Sequence, residues 1–540
     1  MGVCRKLPGR GWILPRMTTD PIELELFRHL LVSIAEEMGA VLRRTSYSAN
    51  IKERRDYSCA VYDGRGETVA MGDHMPVHLG AMPLSVHEAI AAFDLHSGDV
   101  AILNDPFRGG THLPDITAVS PVFVKGVKKA AFYVANRAHH ADVGGMSPGS
   151  MPLAREIFQE GIRIPPILLV RRGKLDRDLL NLVLANVRTP EEREGDLLAQ
   201  CMAIQRGETR LHELVSKYGL RKVQFNMAAL NDYSERVMRA AISWLPDGTY
   251  RFEDFLDNDG ITNNAVRIRA SVTIENSSAR IDFTGSDPQT RGSINANYAI
   301  AVSAAAYVFR CLIREDVPYT AGLLRPLQVV APEGSVVNAR PPAAMAAGNV
   351  ETSQRITDVV LGALAQAAPD LMPAASSGTM NNVTIGGWDS QRGHAFAYYE
   401  TIAGGMGASS IADGMSAIHT HMTNSWNTPI EAFEHQYPLR IAAYRIRANS
   451  GGAGLHHGGD GIIREFEFLA PAQVTILSDR RARGPYGLNG GRDGKPGRNT
   501  LFRRGRAMRI RAKASFETKV RDVLRIETPG GGGWGMLKQP

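Results

Sequence analysis

Helical and strand-like segments alternate along this chain without the regular βαβ rhythm of a parallel sheet, and that irregularity restricts its fold more than any other feature. A helix start comes first, with Asp20 as cap, Pro21 at the first helical position and Glu23 placed to reach back. Behind it, Ile22, Leu26, Leu30, Ile34, Met38, Val41 and Leu42 recur at helical spacing and predict an amphipathic helix of about six turns. Strand-like runs follow at 58–62, 100–103 and 130–135, helical patterns at 176–184 and 189–218, paired strands at 266–274 and 278–283, and further helices at 299–312 and 355–367. From about Gly378 onward glycine density climbs, which predicts short strands joined by tight turns. The expected fold is mixed α and β (α+β), a large multi-layer chain with a β-rich C-terminal third.

Composition narrows the function classes. With 44% hydrophobic and 22% charged residues in 540, the chain reads as a soluble globular protein with a packed core. The most apolar stretch, Ile294 to Phe309, is broken by Asn295, Asn297 and Ser303 and predicts a buried helix, so no membrane role is expected. A net charge of +7 gives no indication of nucleic-acid binding, although a basic run from Arg480 to Lys513 reads as a solvated face. Cys4, Cys59, Cys201 and Cys311 form no CxxC pair, which points to a reducing, cytoplasmic setting. Residues 1–19 carry basic residues but no apolar signal core and read as a disordered or spurious extension. Beyond them the chain divides into regions 20–245, 246–375 and 376–540, the last Gly-rich and β-rich.

The chemistry gathers in region 20–245. Directly after the strand-like Val100 to Leu103 comes the loop Asn104-Asp105-Pro106-Phe107-Arg108-Gly109-Gly110-Thr111-His112-Leu113-Pro114-Asp115, where His112 and Asp115 offer an imidazole and a carboxylate suited to a divalent metal. A second polar cluster, His139-His140-Ala141-Asp142-Val143-Gly144-Gly145, follows the strand-like 130–135; if the two strands are neighbours, both clusters face one mouth. His456, His457 and Asp460 form a weaker rival that reads as a turn, and His419 and His421 would share a strand face. The sequence has neither a phosphate-binding GxxxxGK[ST] loop nor a GxSxG nucleophile elbow. Gly530 to Gly533 read as a terminal loop or a tail packed on its own or a partner chain.

These segments, with Lys52-Glu53-Arg54-Arg55-Asp56-Tyr57-Ser58, Glu160-Gly161-Ile162-Arg163-Ile164-Pro165-Pro166 and the ending Thr528 to Gly535, resemble the hydantoinase B/oxoprolinase family over about residues 20–535 as one unit. The resemblance implies metal ligands at Asp56, His112, Asp115 and His139, with manganese, zinc or iron as the divalent ion; adjacent His140 keeps the choice of histidine open. It also implies catalytic roles for His140 or Asp142 as general base or ligand-orienting group. A partner A subunit of actin-like ATPase fold, using ATP with Mg, would phosphorylate a small cyclic amide (a hydantoin, 5-oxoproline or another lactam), and this chain would complete ring opening within a hetero-oligomer. The family also leaves room for a subunit of an acetone- or acetophenone-type carboxylase, and a non-catalytic scaffold for the A subunit is a third reading.

Overall fold

The computed structural model describes residues 20–72 and 74–537, so the expected extension 1–19, including Cys4, lies outside the described residues. Among the described residues no helix is long and apolar enough to cross a membrane, and Cys59, Cys201 and Cys311 are free.

A seven-stranded antiparallel sheet forms the first layer, built from β1 (Tyr57–Asp63), β2 (Thr68–Met71), β3 (Val100–Leu103), β4 (Asp115–Val122), β5 (Phe132–His139), β6 (Ile167–Arg171) and β7 (Lys174–Leu175). Its order is β2-β1-β5-β4-β3-β6-β7. Every residue of β4 and β5 is buried, because both faces are covered. On one face Cys59, Val61, Val134 and Ala118 pack beneath α1 (Pro21–Thr45) and a long helix over Pro190–Tyr218; on the other Ala60, Tyr62, Val119 and Ala135 join a second core. That two-sided burial removes the polar alternation by which a half-exposed strand is recognised. Strands β3 and β5 are not neighbours, since β4 lies between them. Pro121 makes β4 read poorly as a central strand, and it is tolerated because the ladder to β3 ends at Val119.

The α1 cap forms as expected, Asp20 accepting from the Ile22 N–H, but Glu23 turns outward to Lys222 and Asn226 instead of reaching back. The buried stripe is Phe27, Leu31, Ile34, Met38 and Leu42, while Ile22 is 81% exposed. A 23-residue helix over Leu220–Ile242, separated from the preceding one by Gly219, has no counterpart in the expected elements.

The second core also receives a four-stranded sheet, formed by β8 (Gly248–Leu256), β9 (Val266–Glu275), β10 (Ser278–Asp282) and β11 (Leu327–Val330), and helices over Tyr298–Arg310 and Ser353–Ala367. The C-terminal part stacks a four-stranded on a five-stranded sheet around Val383, Val474, Phe466 and Leu524. Its glycines correct the expectation of tight turns. An added Cβ would lie 2.0 Å from a backbone oxygen at Gly458 (Gly531 O), Gly531 (Met406 O) and Gly532 (Tyr486 O). These residues are glycine because backbones pack on backbones with no space for a side chain. Gly530 to Gly533 are therefore a buried part of this chain's own interior.

Part of the basic run is likewise interior. Arg480 pairs with Asp254 and Asp358 at 2.6 and 2.7 Å, Arg355 with the same two and Asp479, and Lys513 with Asp479 at 2.8 Å. Arg480 and Arg481 are buried in this network and its surroundings, so they are no solvated face.

Candidate metal centre

The antiparallel register assembles the site. Asp115 opens β4, His139 closes β5, and the two are direct partners in the ladder. Asp56 precedes β1, and its carbonyl accepts the His139 N–H at 3.0 Å. His112 sits three residues before Asp115 in a tight turn, closed by the Asp115 N–H to the His112 carbonyl. His112, Asp115 and His139 each present a ligand atom within 4.8 Å of the others, and all three are at most 2% exposed. Asp56 is buried beside the trio but outside that ligand-atom group.

The two oxygens of Asp115 are used unequally. Oδ2 faces donors from Thr111 (3.2 Å), Asn349 (3.3 Å) and His78 (3.5 Å). Oδ1 lies 3.1 Å from His112 Nε2 and 3.2 Å from His139 Nδ1, yet has no hydrogen-bond partner among the described residues. His112 Nδ1 is 3.2 Å from the Ala346 carbonyl, an acceptor only, so that nitrogen carries the proton and Nε2 presents a lone pair. That lone pair meets the Asn349 amide at 3.1 Å and also faces Asp115 Oδ1 across 3.1 Å, the second contact without a hydrogen bond. Such an arrangement fits a cation between donors, and one carboxylate with two imidazoles suits a divalent transition metal.

Burial opposes the Asp115 charge, but the His112, His139 and His78 rings, when they carry charge or donate a proton, overcome it and hold this carboxyl well below the usual range. Desolvation lowers the His139 and His78 imidazoles, favouring the neutral form that binds metals. Tyr399 stacks on His139 with centroids 4.4 Å apart and planes at 12°, and its hydroxyl donates to Asn382 Oδ1 at 2.8 Å. Asn382 in turn donates to Glu351, whose carboxyl burial raises to about 7.

Alternation along β5 separates the adjacent histidines. His139 faces the trio, whereas His140 points to the opposite layer, with Nε2 3.0 Å from Gln200 Oε1. Asp142 accepts from the N–H groups of Gly144, Gly149 and Arg188 and from the Arg188 guanidinium. His421 lies in a loop without the expected strand, at 3.4 Å from the Tyr307 hydroxyl, and His456 approaches Asp413 at 3.6 Å. His78, Asn349 and Tyr399 are the neighbours that sequence reasoning missed; each is a lone polar or aromatic residue brought in from a distant segment.

The layered α and β fold thus carries at one sheet end an interior His–Asp donor set whose spacing could hold a metal ion. The chain belongs to the hydantoinase B/oxoprolinase family, whose model matches residues 20–537. It is 40% identical to 5-oxoprolinase 1 of Arabidopsis thaliana over 97% of its own length but only 42% of that protein, and so spans about two-fifths of such relatives. A Pseudomonas sp. protein named as one component of a D-/L-hydantoinase is 33% identical, with 88% of this chain and 83% of the other covered. The solved ATP-dependent caprolactamase of Pseudomonas jessenii superposes with a TM-score of 0.89 at 30% identity, covering 96% of this chain and 92% of that one.

Proposed function

We propose that this chain is the B-type module of an ATP-dependent cyclic-amide hydrolase that opens a hydantoin, 5-oxoproline or other lactam together with an A-type ATPase subunit. The observation that carries the reading is the unpaired Asp115 Oδ1 held against two imidazoles. The family relationship supplies the substrate class, and the large unmatched share of the 5-oxoprolinase supports a second module.

His112, Asp115 and His139 would hold the ion, with Asp56 beside them. A bound divalent metal supplies polarisation of a substrate oxygen and lowers the pKa of water. The protein's own groups prepare the site. The Ala346 carbonyl fixes the His112 tautomer, Thr111, Asn349 and His78 turn Asp115, and the Tyr399 ring covers one face of His139. Burial excludes bulk water, which strengthens these interactions. His140 and Asp142 act in this reading as supports, since one faces the opposite layer and the other is occupied by four donors.

The test is to co-express the chain with an A-type ATPase and measure ring opening of 5-oxoproline, hydantoin and caprolactam. Activity is expected only with both proteins and MgATP. Ring opening by the chain alone without ATP would refute the proposal, as would carboxylation of a ketone from bicarbonate by the pair without any lactam turnover.

A further inference from the structure

Three donors meet Asp115 Oδ2, but they differ in what holds them. Thr111 belongs to the same loop and moves with Asp115, and Asn349 divides its amide between Asp115 and His112 Nε2 at 3.1 Å. His78 comes from an independent segment, the short helical turn Pro76–His78 between β2 and the helix over Ala81–Ala92. It is 1% exposed, and its other ring nitrogen, Nδ1, lies 2.8 Å from Ser58 Oγ on β1.

The hydrogen bonds around His78 allow one proton order. Ser58 Oγ accepts from the Met75 N–H at 3.2 Å, so its single hydroxyl proton is available for His78 Nδ1. With Nδ1 accepting, the neutral ring carries its proton on Nε2 and donates toward Asp115 Oδ2. The opposite tautomer would strand the Ser58 proton and set a lone pair against a carboxylate oxygen. A directed relay thus runs from the Met75 backbone through Ser58 and His78 to Asp115, and its Ser58 stands two residues from Asp56.

We infer that His78, oriented by Ser58, is a positioning residue that turns Asp115 so that Oδ1 points at the metal position between His112 and His139. The inference rests on the reading of that trio as a metal centre. It gives His78 no place among the ligands, because it reaches the oxygen turned away from the imidazoles and falls outside the ligand-atom group. Partners of this kind typically affect metal affinity about 10- to 100-fold.

The experiment uses the full chain stripped of metal, titrated with zinc against a chromophoric chelator and with cobalt(II) followed by absorption. Melting temperatures of the metal-free forms serve as the folding control. Wild type should bind about one ion, and its failure to do so would remove the metal reading itself before any variant is considered. His78→Ala should weaken zinc binding about 10- to 100-fold. His78→Gln, whose amide offers an acceptor to Ser58 and a donor to Asp115, should recover most of that loss. Ser58→Ala, which frees the tautomer, should fall between them. The cobalt spectrum at saturation should keep the wild-type form in all three. Unchanged zinc affinity in His78→Ala would make His78 a packing residue and overturn the inference. A cobalt spectrum that loses a nitrogen ligand would make it a ligand and overturn it as well. Should His78→Ala fail to fold, equal affinity of Ser58→Ala and wild type would refute the relay.

Discussion

Asp115→Asn should make the metal-free protein slightly more stable while nearly abolishing metal binding. Oδ2 faces three donors, so the amide oxygen of the variant must take that place and its NH2 must take the place of Oδ1. There the NH2 faces His139 Nδ1 and His112 Nε2, at 3.2 and 3.1 Å in the parent, and the second of these already meets the Asn349 amide at 3.1 Å. One new hydrogen bond at about 1 kcal/mol, less imperfect geometry, gives a gain of at most ~1 kcal/mol. An unfolding entropy of about 2 cal/mol/K per residue over 540 residues converts this to a rise of at most ~1 °C. The metal side has the opposite sign. A structural zinc contributes roughly 10–16 kcal/mol, and an even share over four ligands puts one near 3–4 kcal/mol, or about two to three powers of ten in affinity. Differential scanning calorimetry of metal-free protein and zinc titration read the two quantities separately. A metal-free variant that melts several degrees below wild type, or one that binds zinc within about tenfold of it, would show that Asp115 is a structural charge and refute the argument.

Four further substitutions test other parts of the reasoning. Asp142→Asn turns an amide NH2 toward backbone N–H donors and should cost about 2–4 kcal/mol in urea melts, while ring opening per folded molecule stays within a few-fold; a loss above about a hundredfold would restore Asp142 as a general base. Burial raises the Glu160 carboxyl from 4.5 to about 8, so its contribution to wild-type stability is fullest below about pH 4.5 and is lost as pH rises toward 8, at roughly 1.4 kcal/mol per unit. Glu160→Gln should lack that slope, and parallel pH profiles of the two proteins between pH 5 and 8 would contradict it. Gly531→Ala places a Cβ 2.0 Å from the Met406 carbonyl oxygen and should cost several kcal/mol, whereas Gly505→Ala, at φ +75° with open space around it, should cost only about 1 kcal/mol; similar melting temperatures would sink the backbone-packing account.

How much of this was legible in the sequence depends on where the information lies. Helices with local start signals were readable: Asp176 caps its helix through the Leu179 N–H, and Pro190 begins the next one. The long helix after Gly219 has no counterpart in the expected elements although Val223, Met227, Leu230 and Met238 keep helical spacing; Gly219 is a joint between two helices. Glycines past Gly378 were visible but misread. A glycine needed for φ > 0 and one needed for close backbone approach look alike in a single chain, and here many serve the second purpose.

The site shows the same division more sharply. His112, Asp115 and His139 were nameable because they lie in polar segments beside apolar strands, and alternation along β5 alone decides that His139, not His140, faces Asp115. Nothing local marks His78, Asn349 or Tyr399, which come from three separate places in the chain. Their contribution is directional: one fixes a proton, one divides an amide between two neighbours, and one covers a ring. Such constraints exist only once the sheet is covered on both faces, since a half-exposed sheet would let water satisfy Asp115 Oδ1 and the His139 imidazole. Placing a metal-type donor set on the inner face of a fully buried sheet therefore does two things together. It denies the unpaired atoms an alternative partner, and it makes the surrounding packing, from Ser58 to Asn349, part of the site.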